Sequence, residues 1–277
     1  MKIAAIMTCH DRKQKTLACL DSLFKFAPEV VVYLTDDGCG DGTPDEVYRR
    51  FPGVKIIKGD GNLFWSRGMF TAWSEAIKGE YDYYLWLNDD IELYPDFMKE
   101  LFECNNIAHK QAVIVGLIKD IETGKILYGG TDANGKLVQE SNNLQPIYNI
   151  NGNVVLVPKF VVDKIGIIDS RYWHDIGDVD YGLMARKAGI PVLSTRKAVA
   201  DGYSNGKLIR IRKWGTSIRE RFGILYSPLG ANPSIHFYFI RKHEGISHAI
   251  AMYLYLHVIN ILPDCIVKAI WGDKFVG

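Results

Sequence analysis

The 277-residue chain is expected to fold as an α/β protein. The expected architecture is a mostly parallel sheet flanked by helices, with a C-terminal helical extension. Three observations carry this. Short apolar runs alternate with helix-period stretches through the first 90 residues, the pattern of strand–helix–strand units in a parallel sheet. Three of those strands stop at polar, acidic loops, which must gather on one sheet edge, and ligands of open α/β sheets bind at that carboxyl edge. The tail from Ile246 to Trp271 is apolar and aromatic, but His248, His257, Asn260, Pro263, Asp264 and Lys268 interrupt it. That suits packed helices better than a spanning segment.

The elements follow in order. A first strand over 2–7 runs into the polar loop Thr8-Cys9-His10-Asp11-Arg12, and Leu17, Leu20 and Phe24 then recur at helical spacing. A second strand over 30–34 ends in Asp36-Asp37, followed by Gly38-Cys39-Gly40-Asp41-Gly42-Thr43, where glycines permit positive φ and close approach to a ligand. A short third strand over 54–58 leads to Gly59-Asp60-Gly61-Asn62. A helix over about 67–78 carries Ala72, Trp73, Ala76 and Ile77 on one side. Tyr83-Tyr84-Leu85-Trp86-Leu87 is an unbroken apolar run, as in a strand covered on both faces. It stops at Asp89-Asp90. Further on, Pro95 is expected to open a helix in its first position. A strand over 112–119 follows, then a hairpin signal at Asn134-Gly135 and a strand over 152–157. One helix runs from Pro158 to Gly166, another from near Asp178 to Gly189.

Composition narrows the function classes. The hydrophobic fraction is 48%, the charged fraction 23% and the net charge +1, so no global field favours nucleic acid. The five cysteines include no C-x-x-C pair, which suggests neither a zinc knuckle nor a disulfide framework and suits a reducing cytosol. The apolar stretch at 2–7 is too short for a signal peptide. No run reaches the roughly 18 apolar residues of a spanning helix. The first strand-to-helix turn has neither a dinucleotide fingerprint nor a Walker A loop. Between Lys207 and Lys242, the cations Lys207, Arg210, Arg212, Lys213, Arg219, Arg221, Arg241 and Lys242 face only Glu220. They read either as a solvated face or as a surface attracting diphosphates or anionic headgroups.

Two stretches carry candidate chemistry. Asp89-Asp90 suits an Asp-favoured turn, or a divalent cation held through oxygen that in turn holds a diphosphate. His174, Asp175, Asp178 and Asp180 lie beside Tyr172 and Trp173 at the start of a helix. Asp178 suits an N-cap or a general base for an attacking hydroxyl.

The ordered set Asp36-Asp37-Gly38-Cys39-Gly40-Asp41-Gly42-Thr43, Gly61-Asn62-Leu63-Phe64-Trp65-Ser66-Arg67-Gly68, Asn88-Asp89-Asp90 and Gly177-Asp178-Val179-Asp180 resembles that of the family 2 inverting glycosyltransferases. It is most similar to their rhamnosyltransferase-like branch. The resemblance spans roughly residues 1–200, with a weaker echo in His236-Phe237-Tyr238-Phe239-Ile240-Arg241. It implies a GT-A, Rossmann-like fold with a nucleotide-sugar-binding and catalytic domain over 1–235. A helical extension over 236–277 would pack on protein, on a second copy or on a membrane surface.

The implied activity is metal-dependent, inverting transfer of a sugar from a dTDP-, UDP- or GDP-linked donor to a hydroxyl of a glycan or lipid-linked acceptor. The setting implied is bacterial cell-surface polysaccharide synthesis, in the cytoplasm or on the inner face of the plasma membrane. The alternative is a catalytically inactive nucleotide-sugar-binding subunit of an assembly complex. Carried over by position, Thr8, His10, Arg12 and Asp37 lie near the nucleobase, Asn62 and Arg67 also serve the nucleotide, and Asp89 lies near the ribose. Asp90 holds Mn2+ or Mg2+. Asp178 is the base, with Asp180 as second choice, and Trp173, His174 and Asp175 lie on the acceptor side. Two positions depart from the family pattern. Gly177 stands where Glu usually precedes the catalytic Asp, and Asp201-Gly202-Tyr203 lacks a histidine common in relatives.

Overall fold

The computed structural model describes residues 1–204, 206 and 208–272. Lys207 and the last five residues of the expected extension lie outside them. Two compact units are formed. One comprises residues 1–170 and 177–204, the other residues 171–176 and 205–277.

The first unit is built on a nine-stranded mixed sheet. Its elements are β1 (Ile3–Cys9), α1 (Lys13–Phe26), β2 (Val31–Asp36), α2 (Thr43–Arg50), β3 (Lys55–Lys58), α3 (Phe64–Ala76), β4 (Tyr83–Leu87), β5 (Glu92–Leu93), α4 (Phe97–Ile107), β6 (Val113–Asp120), β7 (Ile126–Tyr128), β8 (Val154–Pro158), α5 (Lys159–Ile165), α6 (Gly177–Lys187) and β9 (Val192–Gly202). The order is β3-β2-β1-β4-β8-β6-β9-β5, with β7 on β6. The half β3-β2-β1-β4 is parallel, as expected. Beyond it, β8 runs antiparallel to both β4 and β6, so the sheet as a whole is mixed. Pro95 lies in the turn before α4 rather than in its first position, and Asp96 is the cap residue.

Strand alternation sorts side chains onto two cores. Ile3, Ala5 and Met7 of β1 and Leu85 and Leu87 of β4 face the side of Leu17, Leu20, Leu23 and Phe97. Ala4, Ile6, Tyr84 and Trp86 face the side of Met69, Ala72, Trp73 and Tyr181. The second core is aromatic. Trp73 meets Trp86 at 5.4 Å and Tyr181 at 5.3 Å, and Trp86 meets Tyr181 at 5.1 Å. Each such pair adds about 0.5–1.5 kcal/mol beyond its buried area. Together they fix α6 against α3 and β4, which matters because α6 carries Asp178.

The second unit contains α7 (Ile218–Tyr226), α8 (Pro233–His243), α9 (Ile246–Ile261) and α10 (Asp264–Trp271). Ser217 and Glu220 form a capping box on α7. Leu225, Ala231 and Leu256 make a small core with Phe222 and Met252 around them. This packing of α7 on α9 places the expected boundary at 235/236 inside the unit rather than at its edge. Two of the basic residues are neither solvated nor available to an outside diphosphate or headgroup. Arg212 and Arg221 are buried, ion-paired with Asp264, and donate to carbonyls at the end of α9. A cation there meets the negative end of the helix dipole. Ile246, Ile250, Leu254 and Val258 recur every four residues on α9 and are exposed. Among the described residues, no helix is long and apolar enough to cross a membrane.

Candidate active site

Three strand ends meet at one place because β1 lies between β2 and β4 in parallel register. Arg12, just past β1, donates through one terminal nitrogen to Asp90 Oδ2 at 2.9 Å and lies 3.4 Å from Asp89 Oδ1. Both carboxylates are buried, whereas Arg12 is 43% exposed. Thr16, one turn into α1, donates to Asp89 Oδ2 at 3.1 Å. Burial pushes the Asp89 carboxyl up to about 6; Arg12 opposes that shift and Asp90 adds to it.

Asp37 has a different environment. Its carboxylate accepts backbone N–H bonds from Gly61 at 2.9 Å, Leu63 at 3.0 Å and Phe64 at 2.9 Å. The side chain thus holds the turn that opens α3. Phe64 sits at φ 58, a left-handed conformation that a non-glycine residue keeps only when held there. His10 Nδ1 contacts the Asp37 carbonyl oxygen at 2.6 Å, joining the loops after β1 and β2.

Asp178 lies in the first turn of α6, half-buried. Its Oδ2 accepts the Gly152 N–H at 3.0 Å and its Oδ1 the Val179 N–H at 2.8 Å. Burial pushes its carboxyl up to about 6, and these backbone donors pull the other way. No cation is among the causes of that shift. A hydrogen-bonded path links this end to the strand end. Asn88 donates its N–H to Asn153 O at 2.9 Å, its side chain bonds that of Asn153, and its Oδ1 accepts from Trp65 Nε1 at 2.7 Å. The Trp65 ring leaves no room for a Cβ at Gly152, which would come within 2.5 Å of it.

Gly177 has a steric reason. A Cβ there would fall 2.5 Å from Ser66 Oγ and 3.0 Å from Ser66 Cβ. Ser66 of α3 occupies the space that a side chain before Asp178 would need.

The other expected residues distribute as follows. Thr8 ends packed under Gly68 of α3, where a Cβ would come within 2.2 Å of its hydroxyl. Asn62 is exposed, and its backbone N–H donates to Asp60 Oδ1. Arg67 donates to the Ser170 carbonyl at 3.0 Å. Asp180 is buried within α6. Trp173, His174 and Asp175 belong to the second unit, where Asp175 is ion-paired with Arg210. Asp201 accepts from Tyr94, and the Tyr203 hydroxyl donates to Glu92 at 3.0 Å, so both have partners where the family histidine is missing. Sequence reading missed Thr16, Trp65, Asn88 and Asn153 as site residues. Asn88 stood directly before the acid pair and Trp65 within the run Gly61–Gly68; Thr16 and Asn153 carry no signal outside three dimensions. A cavity of about 610 Å³ lined by Glu100, Glu103, Arg196 and Lys197 shares none of these residues, and Arg196 is already paired with both glutamates.

Residues 4–151, more than half of the chain, match the family described as glycosyl transferase family 2. The chain belongs to that family. This chain is 24% identical over 196 residues to N-acetylglucosaminyl-diphospho-decaprenol L-rhamnosyltransferase of Mycobacterium tuberculosis; the match covers 58% of the chain and 62% of that relative's length. Among solved structures, S. aureus TarS 1-349 in complex with UDP-GlcNAc aligns at a TM-score of 0.58 and 13% identity, over 98% of this chain and 76% of that one. The mannosyltransferase PcManGT from Pyrobaculum calidifontis, in complex with GDP-Man and Mn2+, aligns at 0.56 and 15%, over 94% and 70%. These likenesses establish the GT-A-like fold of the chain.

A divalent cation is the group this fold family implies. Asp89 and Asp90 offer adjacent, buried, hard oxygen donors of the kind that suit Mn2+ or Mg2+. Arg12 already meets them as a cation, so the residues fit a positive occupant.

Proposed function

We propose that the chain catalyses inverting transfer of a sugar from a nucleoside-diphosphate donor to a hydroxyl of a glycan or lipid-linked acceptor, with Asp178 as the general base. The observation that carries this is the Asp178 carboxylate itself. Backbone N–H groups of Gly152 and Val179 fix it, no cation among the described residues is a cause of its shift, and burial pushes its pKa up to about 6. A base of that strength is ionised at neutral pH yet accepts a proton well. The acceptor O–H gives its proton to Asp178 while its oxygen bonds to the anomeric carbon. The bond from that carbon to the diphosphate oxygen breaks on the opposite face, so the configuration inverts. The Gly177 departure has a steric reason that leaves Asp178 in place, which supports an active enzyme over an inactive binding subunit.

On the donor side, Thr8, His10, Arg12, Asp37, Asn62, Arg67 and Asp89 serve the nucleotide, and Asp90 is the ligand for Mn2+ or Mg2+. When bound, that ion neutralises charge on the departing diphosphate. Asp37 acts by holding the turn that opens α3. The rhamnosyltransferase relative supports a deoxysugar donor, a polyprenyl-diphosphate acceptor and a place in cell-surface polysaccharide synthesis. A lipid-borne acceptor would bring the chain to the inner membrane face, and the exposed apolar ridge of α9 suits contact there.

The test is incubation of purified protein with dTDP-, UDP- and GDP-sugars, with and without Mn2+, on a synthetic N-acetylglucosaminyl diphospholipid. One donor is expected to react, and NMR is expected to show the opposite anomeric configuration in the product. Retained configuration would sink the single-displacement mechanism.

A further inference from the structure

Cys9, the last residue of β1, and Cys39, in the loop after β2, bring their sulfurs to 3.7 Å. A carboxylate oxygen of Asp36, the last residue of β2, lies within 4.8 Å of both. None of the three has a part in the transfer chemistry. Parallel register sets Cys9 opposite Asp36, and Asp36 Oδ1 accepts the Cys39 N–H at 2.9 Å. That bond turns the loop back and returns the Cys39 sulfur to Cys9. Cys9 and Asp36 are buried, and Cys39 is half-buried.

Distance decides what such a pair suits. Sulfurs of a disulfide are about 2.05 Å apart, so oxidation would have to pull these loops together. Two thiolates on one tetrahedral zinc, each about 2.3 Å from the metal, are about 3.8 Å apart. The observed separation matches the second case without movement. We propose that Cys9, Cys39 and Asp36 form a binding site for a thiophilic divalent cation, Zn2+. This site differs in chemistry from the oxygen-only pair Asp89-Asp90, and the proposal does not depend on the transfer mechanism.

The surroundings agree. The Cys9 thiol is held protonated by its contact with Cys39, by burial and by the negative charges of Asp89 and Asp36. Those same charges attract a dication, which binds the thiolates and releases their protons to solvent. On the open side of Cys39, ligand atoms of Asp11 and Asp41 also lie within 4.8 Å of its sulfur. One of them, or water, completes four-coordination. Cys9 directly precedes His10 and Asp36 directly precedes Asp37, so the ion ties together the two loops that the nucleotide reading depends on.

The experiment uses the full chain, reduced and stripped with a chelator, titrated with Co2+ and then Zn2+. One equivalent of Co2+ is expected to give thiolate-to-cobalt charge-transfer absorption that Zn2+ displaces and excess Mg2+ does not. Cys39→Ser should lose the absorption; Cys265→Ser, altered at an exposed cysteine, should keep it. Cys39 lies in a half-buried loop, so its variant keeps the test open even if Cys9→Ser fails to fold. No charge-transfer band at one equivalent, or a band that survives Cys39→Ser, overturns the proposal.

Discussion

The two ends of the site use the same residue in opposite ways. At the strand end, Asp89 and Asp90 are buried beside a cation, and Arg12 bridges them. At the helix start, Asp178 is held by backbone N–H groups, those of Gly152 and Val179 among them. Burial lifts Asp89 and Asp178 to about the same value, near 6. What differs is the compensating partner. A carboxylate paired with a cation holds charge in place, whereas one fixed by N–H groups alone keeps a proton-accepting oxygen available. Asp37 is a third case, with both oxygens bound to backbone donors.

The sharpest way to break this comparison is Asp178→Asn. Asn caps a helix nearly as well as Asp, so stability and donor affinity should hold while turnover falls about 10²–10⁴-fold. Asp180→Asn serves as the control. Full transfer activity in the Asp178 variant would remove it from the mechanism. In the unaltered protein, kcat/KM should rise with pH through about 6 as Asp178 ionises, and this inflection should be absent from the variant's residual rate.

At the other end, Asp90→Asn should leave the fold intact but abolish the dependence of nucleotide affinity on Mn2+, read by calorimetry with and without the ion. Unchanged metal dependence would move the ion elsewhere.

Asp37→Ala leaves three backbone N–H groups of the turn into α3 without their acceptor. The expected loss is about 3 kcal/mol in urea unfolding, with weaker nucleotide binding whether or not metal is present. An effect seen only with metal would place Asp37 beside the ion instead.

Gly177→Ala pushes a methyl group into Ser66, and about 1–3 kcal/mol of destabilisation is expected. Ser66→Gly in the same chain should recover most of it, measured as a double-mutant cycle. Additivity of the two changes would show that the clash is relieved elsewhere.

A last effect is on stability against pH. Asp89 and Asp178 are raised in the folded state above the ordinary value of 3.8. The folded chain therefore binds more protons than the unfolded one between about pH 4 and 6. Stability should be greatest below that window, fall as pH rises through about 6, and level off above it, by on the order of 2–3 kcal/mol per group. Thermal melts across this range should show it, and Asp178→Asn should flatten part of the slope.

Much of this was legible in the chain. The apolar run into Asp89-Asp90 announced the central strand, and the acidic ends of β1, β2 and β4 gathered as parallel packing requires. Other parts were written only in three dimensions. The two-residue β5 is a strand solely because Glu92 and Leu93 pair with β9. The antiparallel insertion of β8 between β4 and β6 leaves no local signature. The helix α2 did carry a signal in Thr43-Pro44-Asp45-Glu46, a proline-opened start with acids in its first turn. The glycine-rich run before it drew the reading toward a loop. Arg212 and Arg221 looked like surface cations because composition cannot show that Asp264 and the carbonyls ending α9 bury them. Gly177 looked like a loss, and only the position of Ser66 shows what fills its place.

The second unit draws residues 171–176 from the middle of the chain, between two segments of the first. In that strip Tyr172 packs on Tyr238, and Asp175 pairs with Arg210. During synthesis the strip emerges well before Tyr238 and Arg210, so these contacts form only once the helices behind it are made. Truncation after residue 204 would permanently remove Tyr238 and Arg210 from it. A graft of the C-terminal helices onto another chain would fail for the same reason unless this hexapeptide travelled with them. Homologous exchange of this region therefore requires two crossover pairs, not one.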